Sequence, residues 1–333
     1  MSSKYVVRPV TGEAEWEQAL ARHPMRNVYA SWGWGAYKER IGWEVVRLLV
    51  LDGSGTEIAL ALVQIKRKLG LRYAYCQGGP LFFLDDEDVA SEVTHSILDH
   101  LKLRSFDFAL INPYAFKTDR MVMGLLSAGL VPVLARQNHS LLVDLRSGLE
   151  AAEKALSGNW RRNLRRSLRG GNLTRRFLDD VEERKRCIDT FAELYEKLTQ
   201  RKSFRDGLNA PAIRDVMAND PRYVILEIKD KGEITAVRIA HTSPVMMTDF
   251  YAASADSAKT NYANYLAVWS FVEYAAEHGY PLFDCGGIDP FGNRGVYNFK
   301  RGISHALVQT GPQWLYCRNR LVRNAVAAAL SRS

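Results

Sequence analysis

The sequence is poor in the residues that build metal and redox centres. Its four cysteines, Cys76, Cys187, Cys285 and Cys317, are so far apart that no C-x-x-C occurs. That excludes a zinc knuckle and a thioredoxin-type couple and leaves free thiols of a reducing compartment. The seven histidines form no H-E-x-x-H, and His95 and His100, five apart, do not share a helix face. No metal site is expected. Neither a G-x-S-x-G elbow nor a G-x-x-x-x-G-K loop is present, so serine hydrolysis by that route and P-loop phosphoryl transfer lose support. No apolar run approaches the roughly 20 residues of a membrane span. The opening Met1-Ser2-Ser3-Lys4-Tyr5 has no apolar signal-peptide core. The expected location is the cytoplasm.

Acid is missing from two stretches. Between Ser157 and Arg176 there are seven arginines and no Asp or Glu, and after Asp289 no acidic residue follows. The whole chain carries 45 Lys and Arg against 37 Asp and Glu, a formal charge of +8. Leu164 and Leu168, four apart, give the first basic stretch the stripe of an amphipathic helix. A basic helix face attracts polyanions by counterion release, although arginine is also common on plain solvated helices. Two such regions in one chain point toward a phosphate-rich partner.

What is present is ordinary globular composition, 47% apolar and 25% charged over 333 residues, a length that suggests two domains. The order of elements repeats. Trp43–Leu51 and Glu57–Lys66 read as strands around an Asp52-Gly53-Ser54-Gly55 turn; Tyr73–Phe83 is a further strand, followed by a helix near Asp86–Leu103 and a strand at Asp107–Asn112. The second half has strands at Tyr223–Ile228 and Glu233–His241 around Lys229–Gly232, then Met246–Ala253, a helix near Tyr262–His278 and a strand at Pro281–Cys285. The offset of about 175 residues suggests a duplicated α/β unit. A hairpin leading into a strand–helix–strand crossover is the order of an N-acyltransferase fold. The expected fold class is therefore α/β (α+β), two tandem GNAT-like domains. The first covers 1–146, ending after a strand at Ser140–Leu145. The second covers 147–316, with the basic helix and a last strand at Ala306–Tyr316. A C-terminal helix, 317–333, could dock on either. Neither half carries the [QR]-x-x-G-x-[GA] pyrophosphate cradle between strand and helix; Asp85-Asp86-Glu87-Asp88 occupies that place in the first and Ala253-Ser254-Ala255-Asp256 in the second.

Five blocks, in order, resemble the Fem family of aminoacyl-tRNA-dependent transferases that build peptidoglycan cross-bridges. They are YASWGWGAYKERIGW (Tyr29–Trp43), YCQGGPL (Tyr75–Leu81), NWRRNLRRSLR (Asn159–Arg169), YAASADSAKTNYANYLAVW (Tyr251–Trp269) and FDCGG…YNFKRG (Phe283–Gly302). The ending Lys300-Arg301-Gly302-Ile303-Ser304 departs from the family's K-x-g-F-G, and no long charged heptad insertion interrupts the second domain.

The resemblance implies an aminoacyl-tRNA co-substrate, no other cofactor, and an amine acceptor such as a muropeptide, UDP-linked or lipid-linked, with at most peripheral membrane contact. It implies Phe299 and Lys300 at the reaction centre and Lys38, Arg201, Tyr251 and Asp284 in substrate binding. Each has a plainer reading: Lys38 as a solvated helix lysine, Arg201 as a helix C-terminal cation, Tyr251 as a core tyrosine, Asp284 as a turn or capping aspartate. Arg161, Arg162, Arg165 and Arg166, with Arg318 and Arg320 near the end, would hold tRNA phosphates. Because an aminoacyl ester is already activated, orientation and oxyanion stabilisation should carry the rate, and neither His241 nor His305 is needed as a base. Two other readings stay open. One is an acyl-CoA or acyl-carrier-dependent N-acyltransferase of the same fold; the other is a non-catalytic nucleic-acid binder, which lacks a recognised readout module.

Overall fold

A computed structural model describes residues 4–68, 70–113, 118–169, 172–202 and 208–332. The chain forms two compact units, residues 1–138 with 309–333, and residues 139–308.

In the first unit the order is β1 (Val6–Pro9), α1 (Glu13–Ala21), α2 (Trp32–Arg40), β2 (Glu44–Leu51), β3 (Glu57–Lys68), β4 (Leu71–Gln77), β5 (Leu81–Phe82), α3 (Glu87–His100), β6 (Phe108–Asn112) and α4 (Asp119–Ser127). The hairpin turn forms as its residues dictate: Asp52 Oδ1 accepts the Ser54 and Thr56 N–H groups, each at 2.9 Å. β3 carries the apolar run Ile58–Val63 because both of its faces are covered there. Val63 and Ile65 pack with Val93 and Ile97 of α3, while Leu60 and Leu62 pack with Trp16 and Leu20 of α1. β4 runs parallel to β6, joined by the α3 crossover. The expected single strand Tyr73–Phe83 is broken at Gly78-Gly79-Pro80, where Gly78 takes a left-handed φ of 75°, and its tail becomes β5, paired with β3.

The second unit takes the end of β7 (Val131–Asp144), then α5 (Leu149–Ala155), α6 (Gly158–Arg169), β8 (Leu173–Leu178), α7 (Val181–Lys202), α8 (Ala210–Asn219), β9 (Tyr223–Asp230), β10 (Glu233–Thr242) and β11 (Met247–Ser254). It continues with α9 (Ser257–Thr260), α10 (Ala263–Glu277), β12 (Leu282–Gly287) and α11 (Arg294–Arg301). β8 to β11 form an antiparallel meander, and α10 crosses to β12, parallel to β11. α10 is apolar nearly all round because it lies in the core, with Leu266, Trp269 and Phe271 packed on strands and on Trp160 of α6.

Both units are finished by a strand from outside their own repeat. In the second, β12 pairs with residues 140–144 of β7, which precede the repeat. In the first, β6 pairs with residues 314–316 of β13 (Ala306–Tyr316), which follow the whole second half. The C-terminal helix α12 (Arg320–Arg332) belongs to the first unit, packing Val326, Ala327 and Leu330 against Leu110, Val133 and Leu315. The packing thus divides the chain at 138/139 and returns residues 309–333 to the first unit, where the sequence pattern suggested 146/147 and a last strand in the second.

Candidate active site

β11 and β12 hold their parallel register for two pairs, Met247 with Phe283 and Thr248 with Asp284, and then part. Just there β11 carries a bulge: Ile239 of β10 faces Tyr251 and Ala240 faces Asp249, leaving Phe250 as the extra residue. Such a bulge re-aims side chains, and Asp249, Phe250 and Tyr251 all line one open pocket of about 480 Å³. Its other wall comes from α11, through Val296, Phe299 and Lys300. The pocket lies at the carboxyl ends of parallel strands, where ligands gather in α/β folds.

Lys300 Nζ donates to the Gly287 carbonyl at 2.8 Å. Burial outweighs the nearby Asp249 charge and holds its pKa below the usual lysine value. Gly286 is required beside it. Its φ is 76°, and a methyl there would fall 2.6 Å from the Asp249 carbonyl oxygen and 3.3 Å from Lys300 Nζ. Phe299 packs edge-on against Tyr265 at 5.0 Å and tilted against Trp160 at 5.9 Å. Tyr251 sits among the rings of Phe191, Tyr195 and Phe250. Cys285 is buried, and burial pushes its thiol pKa up, so it stays a thiol.

Asp284 is behind this site rather than in it. It is buried, accepts from Ser140 Oγ of β7, and accepts the Gly286 N–H at 2.8 Å. It therefore shapes the bend whose next carbonyl receives Lys300. Arg201 ends α7, and its side chain lies outside the described residues.

The basic helix forms over Gly158–Arg169. Its buried face is Trp160, Asn163, Leu164 and Ser167, spaced i, i+3, i+4, i+7. Leu168 falls at the edge of that arc and is 59% exposed, so the expected Leu164/Leu168 stripe is rotated. Arg162, Arg165 and Arg166 are exposed, Arg166 donating to Tyr262 Oη at 3.1 Å. Arg161 behaves differently. Its guanidinium donates to the Glu153, Lys154 and Leu156 carbonyls at 3.2, 2.9 and 3.2 Å, tying off the end of α5.

The other residues lie in the first unit. Lys38, on α2, has its ammonium over the rings of Trp34 and Tyr37, 4.6 and 5.1 Å from their centroids. Lys66, on β3, lies 4.5 Å over Trp43. Burial, then the Lys66 charge, lowers the Lys38 pKa to about 8. Two cations on aromatic floors suit a multivalent anion. Arg318 and Arg320 are exposed, Arg318 within 3.8 Å of Asp99. Lys66, Arg238 and Asp249 carry no sequence signal and read as ordinary strand residues. Only Lys66, opposite Tyr73 in register, is recoverable once the hairpin is drawn.

Residues 11–128 match the FemAB family and residues 155–301 match an acetyltransferase (GNAT) domain. The solved structure of FemX is similar over 97% of this chain and 100% of that one, with a TM-score of 0.80 at 15% identity. The fold is that of two tandem GNAT-like units, with the FemAB match confined to residues 11–128. Other solved structures share the fold. L-PGS from Bacillus licheniformis matches with a TM-score of 0.60 at 14% identity, over 96% of each chain. The C-terminal domain of a putative lysylphosphatidylglycerol synthetase from Agrobacterium fabrum matches with 0.58 at 18%, also over 96% of each. No curated protein sequence matches.

The GNAT fold raises coenzyme A as a ligand, and this chain does not fit its pyrophosphate at either crossover helix. In the first unit Asp86 caps α3, accepting the Val89 N–H at 3.0 Å, with Glu87 and Asp88 in the first turn; anions are repelled there. In the second, the N–H groups of Ala263 and Tyr265 are already taken by Asn261 Oδ1 and the Tyr262 carbonyl.

Proposed function

We propose that this chain is a Fem-type acyltransferase that moves an amino acid from aminoacyl-tRNA to the amine of a peptidoglycan-precursor peptide or a related small peptide. One observation carries the reading: the arginine helix α6 packs through Trp160 directly on Phe299, the neighbour of Lys300. A nucleic acid held along α6 by its phosphates has its end beside the Lys300 pocket. Affinity would come from counterion release along exposed arginines, and chemistry from a pocket that sets the Lys300 ammonium beside the parting strands. The aminoacyl ester needs no activation. A neutral amine attacks its carbonyl, and Lys300 stabilises the oxyanion that develops. Lys38 with Lys66 would take the acceptor's phosphates. The acidic, capped start of α3 and the occupied N–H groups of α10 argue against coenzyme A as the acyl carrier.

The test is a transfer assay with a full set of charged, labelled tRNAs against UDP-linked and lipid-linked muropeptides and small amines, with acetyl-CoA and acyl-carrier thioesters in parallel. Transfer from at least one charged tRNA, and none from acetyl-CoA, is expected. Transfer from a thioester donor alone would replace this reading with an acyl-carrier-dependent one.

A further inference from the structure

Resting on the aminoacyl-transfer reading, we propose that Asp249 accepts an N–H of the attacking amine, orienting the nucleophile and carrying its proton. Asp249 is the first residue of β11 beyond the last parallel pair with β12, at the point where the pocket opens. Its side chain is only 6% exposed, and it forms an ion pair with Arg238, itself 8% exposed. That pair holds the carboxylate in one orientation. Its Oδ1 has essentially no solvent contact and no hydrogen-bond partner among the described residues, and Arg238 Nε is likewise unmatched. A buried carboxylate oxygen without a donor is costly and is retained where a ligand completes it.

The charges of the pocket say which donor fits. Among the described residues, Arg238, Lys259 and Lys300 line it against one carboxylate, that of Asp249. A net positive wall disfavours an ammonium and favours a neutral amine. A neutral amine is also the reactive form, and it still has N–H to donate. In the step, the amine lone pair forms the C–N bond while the carbonyl π pair moves onto oxygen, on the Lys300 side. The nitrogen's proton passes to Asp249 Oδ1. The adduct then collapses, C=O re-forms, the acyl–oxygen bond to the ribose breaks, and the ribose oxygen takes the proton from Asp249. Amine and ester become amide and alcohol, with Asp249 regenerated.

Two variants test this: Asp249→Asn, and the paired Arg238→Met with Asp249→Leu, which removes both buried charges together and so preserves folding. Donors are the charged tRNAs; acceptors are glycinamide, which must shed a proton, and hydroxylamine, which is less basic and depends less on a base. Transfer to glycinamide should fall about 10²-fold in both variants, with donor KM unchanged and hydroxylamine within about fivefold of wild type. Equal loss for both amines, or near-wild-type transfer to glycinamide, overturns the assignment. Saturation-transfer NMR with glycinamide and no donor gives an independent readout. Binding by wild type that is lost in both variants upholds it; equal binding, or none by wild type, overturns it. If wild type transfers from no charged tRNA, the functional reading fails by itself and the NMR arm alone decides Asp249.

Discussion

The indole of Trp160 and the ring of Phe299 meet at 5.9 Å, and that contact joins the arginine helix to the helix bearing Lys300. The fit is close. A methyl at Gly302 would fall 2.8 Å from the indole, and the Ser157 N–H closes on the Gly302 carbonyl at 2.9 Å. On the proposed reading, phosphates held along the first helix would stand at a fixed register to the pocket on the second.

Replacing the exposed Arg162, Arg165, Arg166 and Arg169 by glutamine should weaken tRNA binding and leave the fold intact. For every phosphate no longer neutralised, the log–log salt slope should flatten by about 0.7–0.9. Arg161→Gln should act on the other axis: without its bonds to the α5 carbonyls the protein gives up about 1 kcal/mol of stability and keeps its slope. Fluorescence titrations across salt, with thermal melts, separate the two. An unchanged slope in a folded quadruple variant makes the helix a plain solvated surface.

Lys300→Met should lower kcat about 10²–10³-fold with little change in acceptor KM, the worth of a fixed cation at a developing oxyanion. Lys300→Arg should rescue only part, because a planar fork does not reproduce a compact ammonium. Only the protonated form serves. Since burial depresses the pKa, the wild-type rate should fall with rising pH along a limb below that of an ordinary lysine, and the Met variant should lack that limb. The unfolded chain binds the proton more tightly in that window, so the residue's contribution to stability rises with pH across it. Single-turnover transfer over pH decides; a near-wild-type rate for Lys300→Met removes the catalytic assignment.

Lys38→Met should raise the KM of a diphosphate-bearing acceptor and leave the donor's unchanged. A bare peptide acceptor should make wild type resemble the variant, since it has no phosphate for the lysine to hold. With the free-state pKa near 8, acceptor affinity should be flat below pH 8 and fall above it. Lys66→Met should move that limb upward by removing the like charge. Equal effects on phosphorylated and bare acceptors would instead make Lys38 a structural lysine.

Asp284→Ala should act through stability. It strips a buried acceptor from Ser140 and Gly286, which costs about 1–3 kcal/mol and loosens the bend that seats Lys300. The melting midpoint should drop, with kcat reduced and acceptor KM unchanged. A rise in acceptor KM without loss of stability contradicts this and restores Asp284 to the binding role.

Local patterning made the elements legible. The Asp52–Gly55 turn, the double-faced apolar run of β3, the arginine helix and the repeated hairpin–strand–helix–strand order all follow from neighbours a few residues apart, because turn chemistry and periodicity act over that range. The same order made the fold class legible, and the quoted blocks in the first half anticipated the FemAB match over residues 11–128. Lys300, Phe299 and Tyr251 were nameable by resemblance. Their convergence on one pocket depends on a bulge at Phe250 and on strands parting after Thr248 and Asp284, and neither is written in any local pattern.

The sequence alone determined the two hairpins, the crossover helices, the arginine helix, the charge asymmetry and the duplicated order of elements. Tertiary structure alone decided which strand completes each unit: residues 140–144 for the second and 314–316 for the first. A strand's pattern states that it has two edges and a buried face but not which distant edge it will meet. It also decided that Arg161 ties off a helix end and that Asp284 braces a bend. Most of all, it decided that Asp249 lies buried against Arg238 with one oxygen unmatched among the described residues, since burial and pairing are properties of neighbours brought from far along the chain.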